Sequence, residues 1–63
     1  MKGSTRNGIE ELAAAQGVTL EGSALGSDRN ALELIAAEKS VELSGKALGS
    51  DVNCLEFIET ALD

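Results

Sequence analysis

Shifted by 23 positions, the sequence falls on itself. Residues 18–40 and 41–63 share 12 identities in 23 positions, among them Val, Leu, Gly, Ala, Ser, Asp, Asn, Glu and Ile. Unrelated segments of this length share one or two. The same offset lays residues 3–17 over 26–40 with 7 identities in 15 positions, and Ile9/Leu32 and Leu12/Ile35 are conservative pairs. An internal period of this kind constrains a fold more than any single motif, because copies of one segment obey the same local rules. The chain reads as a single small repeat domain over residues 1–63, with a partial unit at 3–17 and full units at 18–40 and 41–63.

Each unit has a half that reads as helix. Ser4, Ser27 and Ser50 are each followed three residues later by Asn and three residues after that by Glu. Ser, Asp and Asn side chains accept hydrogen bonds from the free N–H groups of a first helical turn, so Ser27 or Asp28 is the cap of its helix. Carboxylates near that end favour the positive pole of the helix dipole. Apolar residues then recur at helical spacing, as Ile9, Leu12, Ala13; Leu32, Ile35, Ala36; and Leu55, Ile58, Ala61, Leu62. The spacing predicts helices near 6–16, 28–39 and 51–62.

The other half reads as strand. In Val18-Thr19-Leu20 and Val41-Glu42-Leu43 apolar and polar residues alternate, which places Val and Leu on one face of an extended segment. Gly22 and Gly45 end the alternation. The predicted class is α/β, in the order helix–strand–helix–strand–helix. Two strands joined by a helix pair in parallel through a right-handed crossover. Their outer edges carry unpaired N–H and C=O groups, so Val18, Leu20, Val41 and Leu43 are the interface candidates, and a second copy that adds strands is the simplest way to cover them.

The strand segments resemble those of leucine-rich repeats, which read L-x-x-L-x-L-x-x-N-x-L. Val18, Leu20 and Leu25, and again Val41, Leu43 and Leu48, fall on the second, third and fourth apolar positions of that pattern. The asparagine position holds Ser23 and Lys46, and the first leucine position holds Ala15 and Glu38. The resemblance covers residues 18–63. It implies a curved binding scaffold rather than a catalyst.

Bulk properties narrow the chemistry. A chain of 63 residues buries only about 60% of the surface it exposes when unfolded, and small scaffolds draw extra stability from disulfides, metals or partners. Cys54 is the only cysteine and histidine is absent, so neither a disulfide framework nor an ordinary zinc site is available. Oligomerisation, as a homodimer, or an unusually regular packing is the expected remedy. The net charge is −6, which argues against direct contact with nucleic acid or an anionic membrane surface. No run approaches the roughly 18 apolar residues of a membrane span, and Lys2 is not followed by the apolar stretch of a signal peptide. A lone cysteine without such a signal fits a reducing compartment, so the expected location is cytoplasmic.

The polar constellations have plain explanations. Asp28, Asn30, Glu33 and Asp51, Asn53, Glu56 offer oxygen ligands suited to calcium, yet lack the twelve-residue loop with a central glycine of an EF-hand; helix capping accounts for them. Gly26-Ser27 and Gly49-Ser50 lack the Gly-Lys-Ser/Thr ending of a phosphate loop and read as turns. Cys54 lies in a first helical turn, where a thiol is activated, but it has no histidine to serve as base. Its counterparts 23 residues apart are Gly8 and Ala31, which marks a place for a small residue. Glu10/Glu11 and Glu56/Glu59 belong to solvated acidic faces. The expectation is a non-enzymatic module without cofactor or metal that binds itself or another protein. The alternative is an acidic mimic of nucleic acid that blocks a basic groove.

Overall fold

Three α-helices make up the fold: α1 (Thr5–Gln16), α2 (Asp28–Glu38) and α3 (Asp51–Leu62). A single 3₁₀ turn precedes α2 (Gly22–Leu25) and another precedes α3 (Gly45–Leu48). The computed structural model describes residues 4–62. Lys2 and Gly3, which enter the expectations above, and Asp63 lie outside the described residues.

The helices start where serine stands. The Oγ atoms of Ser4, Ser27 and Ser50 accept from the backbone N–H groups of Asn7 (3.1 Å), Asn30 (3.2 Å) and Asn53 (3.4 Å). Serine, not aspartate, is therefore the cap. Asp28 and Asp51 follow as first-turn acids, where they favour the dipole, whereas Glu33 and Glu56 come a turn later and are exposed.

The helix ends explain why the expected strands do not form. Gly17 takes the left-handed conformation (φ 71°) after α1, and Ser40 takes it (φ 60°) after α2. The N–H of Val18 then donates to Ala13 O and that of Val41 to Ala36 O, both at 2.8 Å, while Gly17 and Ser40 donate to Ala14 O and Ala37 O at 3.3 Å. This paired closure is the Schellman arrangement. It engages the N–H of the very valines that were to begin the strands. Residues 18–20 and 41–43 are extended connectors, and no strand occurs among the described residues. The α/β class with two parallel strands is thus overturned: the fold is all-helical. The alternation of Val and Leu was a true sign of extended backbone, because period two belongs to any extended segment that lies on a core. It carried no information about pairing.

The likeness to leucine-rich repeats falls with the strands. That pattern also needs Leu25 and Leu48 inside, and they are 66% and 65% exposed. Their neighbours Ala24 and Ala47 are buried instead. A 3₁₀ turn has three residues per turn, so two consecutive side chains cannot both face inward, and the smaller one takes the tight approach. Nor is the chain a repeat protein of stacked units. Each helix packs against both others, and the extents of 25 × 24 × 22 Å are those of a closed bundle rather than an open array.

The core is aliphatic. Ile9, Leu32, Ile35 and Ile58 are fully buried, with Leu12, Leu55, Cys54 and the alanines 13, 24, 31, 36 and 47 around them. Full burial of one such Ile or Leu is worth about 1.5–3 kcal/mol. No polar or charged side chain is buried among the described residues, so the core carries no desolvation penalty to be offset.

Candidate interaction groove

A groove of about 430 Å³ opens between the second 3₁₀ turn and the outer side of α3. Ala47, Phe57 and Ala61 form its floor, and Lys46, Asn53, Glu56 and Thr60 form its rim. Its volume falls within the range of natural binding pockets. Five of these residues, at positions 53, 56, 57, 60 and 61, follow the spacing that lines up one face of a helix. The inner face of α3 carries Cys54, Leu55 and Ile58. Helix α3 is therefore apolar on two sides, and Val52, at 49% exposure, adds to its outward apolar surface.

The 23-residue offset shows how α3 came to differ. The corresponding stripe of α1 reads Asn7, Glu10, Glu11, Ala14, Ala15, and that of α2 reads Asn30, Glu33, Leu34, Ala37, Glu38. Phe57 stands where α1 has a carboxylate and α2 a leucine. Phe57 is half-buried and packs against the edge of the core while also flooring the groove.

Two arginines secure the joints before α2 and α3. Arg6 Nη1 donates to Ala24 O at 3.1 Å, and its Nε lies 2.9 Å from Asp28 Oδ1. Arg29 repeats this on the next joint, with Ala47 O at 2.8 Å and Asp51 Oδ1 at 3.1 Å. Each guanidinium ties a 3₁₀ turn to the start of the helix that follows it. Asp28 and Asp51, the leading members of the two oxygen clusters, are thereby held by cations of the chain itself. The sequence did carry a signal for this arrangement, since Arg6 and Arg29 coincide under the 23-residue shift.

The charge that remains at the surface is lopsided. Lys39 Nζ reaches Gln16 O at 3.5 Å. Among the described bases, only Lys46 on the groove rim has no such acceptor. Glutamates 10, 11, 21, 33, 38, 42 and 56 are all exposed.

The other expected sites resolve as follows. Val18, Leu20, Val41 and Leu43 are half-buried and packed against the core; with no sheet edge present, they lie beneath the connectors rather than along an open ladder. Cys54 is fully buried. Burial pushes its thiol pKa up, the Arg29 guanidinium opposes that shift, and Asp51 and Glu33 reinforce it. A raised thiol pKa keeps sulfur protonated, the reverse of what a nucleophile needs. Among the described residues no three His, Cys, Asp or Glu side chains are grouped to hold a metal ion, and no helix is long and apolar enough to cross a membrane. No protein-family model, curated protein or solved structure matches this chain.

Proposed function

We propose that this chain is a small non-enzymatic interaction module that takes a partner protein on the outer face of α3. The supporting observation is the groove itself: an apolar floor of Ala47, Phe57 and Ala61 left open beside a completed core. Apolar floors with polar rims are the common anatomy of protein interfaces, and one aromatic side chain in such a floor is a usual anchor. Self-association was expected from open strand edges, and that basis has gone with the strands. A second copy would also bring a second −6 charge to the same face, which opposes pairing. A different protein therefore suits the groove better than a copy of the chain.

Selection from a random-peptide display library tests this reading. It should enrich ligands of micromolar affinity that perturb the NMR signals of Ala47, Phe57 and Ala61. Ala61→Gln, at an exposed position, should remove that binding while circular dichroism stays unchanged. Failure to enrich any ligand, or ligands that bind Ala61→Gln as well as the parent, would defeat the proposal.

A further inference from the structure

We infer that the occupant of this groove is a basic amphipathic helix of the partner. The inference rests on the proposed use of the α3 face and adds the shape and charge of what binds there. Shape comes first. The stripe from Asn53 to Ala61 runs for about 12 Å at 1.5 Å per residue, the length of two helical turns. Docking of an apolar helix face into a groove is a recurrent recognition mode, read as anchors at i, i+3, i+4 and i+7. An extended peptide has less to gain. The backbone groups of α3 are engaged within the helix, and the described residues contain no strand that an added strand could extend.

Charge settles the polar side of the ligand. Three of the four described bases already meet acceptors within the fold, through Arg6, Arg29 and Lys39. The carboxylates of Glu56 on the rim and of Glu33 and Glu42 elsewhere on the surface face solvent. The field outside the protein is therefore negative, and it accelerates and orients a cationic partner while repelling an anionic one. Lys46 is the exception on the rim, and it marks the side of the groove where the ligand's lysines and arginines should be absent.

The test uses the full chain and three fluorescein-labelled model helices. One has leucines at i, i+3, i+4 and i+7 with lysines on the polar face. The second keeps the leucines and carries glutamates in place of the lysines. The third has the composition of the first with the leucines scattered off the stripe. Anisotropy titrations should show the first bound about tenfold tighter than either of the others, with affinity falling as salt rises. Ala61→Gln should weaken it about tenfold by filling the floor without adding charge. Glu56→Gln should weaken it about two- to threefold and flatten the salt dependence. Equal binding of the glutamate helix or of the scattered helix overturns the inference, as does equal binding to Ala61→Gln. If library-derived ligands fill the groove but are acidic or extended, the inference fails and the module reading stands. If no peptide of any kind perturbs Phe57, or if sedimentation shows the face closed by a second copy, both fail.

Discussion

The joint that leads into α2 and the joint that leads into α3 are built alike, and α3 itself then departs from the helices before it. In both joints a serine caps the helix, an arginine from the preceding helix grips the 3₁₀ turn, and an alanine of that turn enters the core. At the position of Arg6 and Arg29, α3 carries Val52, and at the position of Glu11 and Leu34 it carries Phe57. The two substitutions replace polar or smaller side chains by apolar ones on the outside of one helix, while the buried set is kept as Ile35 in α2 and Ile58 in α3. The difference separates two demands. Positions that close the bundle hold the same kind of residue in each helix, and positions that only face solvent are free to become a surface for something else.

The largest expected effects test the half of the comparison that says the cores are equivalent. Ile35→Ala and Ile58→Ala each remove a fully buried side chain and should each cost about 2–5 kcal/mol, enough to unfold much of a domain this small. Urea titration of both variants checks this. A cost at Ile58 far below that at Ile35 would show that α3 is only loosely part of the core.

A smaller effect should follow from the joints. Arg29→Met removes a hydrogen bond to Ala47 O and an ion pair with Asp51 whose side chains are 28% and 42% exposed. Solvent screens that pair, so the loss should be about 1 kcal/mol, mostly from the carbonyl left without its donor. Arg6→Met should match it, because its geometry matches. A double-mutant cycle of Arg29→Met with Asp51→Asn should return a coupling below about 1 kcal/mol; a much larger value would mean that the ion pair, not the carbonyl contact, holds the joint.

The smallest effect sharpens the comparison at the helix ends. Gly17 and Ser40 hold the same left-handed conformation, which costs a side-chain-bearing residue about 1 kcal/mol and glycine almost nothing. Ser40→Gly should therefore stabilise the protein by about 0.5–1 kcal/mol, read as a rise in melting temperature. Unchanged or lowered stability would show that the Ser40 hydroxyl compensates for its backbone.

Much of this protein was legible without coordinates. Ser4, Ser27 and Ser50 mark helix starts because a capping hydroxyl acts on N–H groups only three residues away. Gly17 and the apolar spacing bound α1 and its counterparts for the same reason, as helical contacts are local. The strands were misread because the alternation in residues 18–20 and 41–43 specifies an extended backbone, and pairing depends on where each N–H goes. The closing bonds from Val18 to Ala13 and from Val41 to Ala36 use those groups at the helix ends. Only the packed structure decided which neighbour of each Ala-Leu pair is buried, and that the arginines reach across to the next joint. It also decided that Phe57 floors a groove instead of completing the core. Those outcomes depend on distances between elements far apart in the chain, and a local pattern carries no record of them.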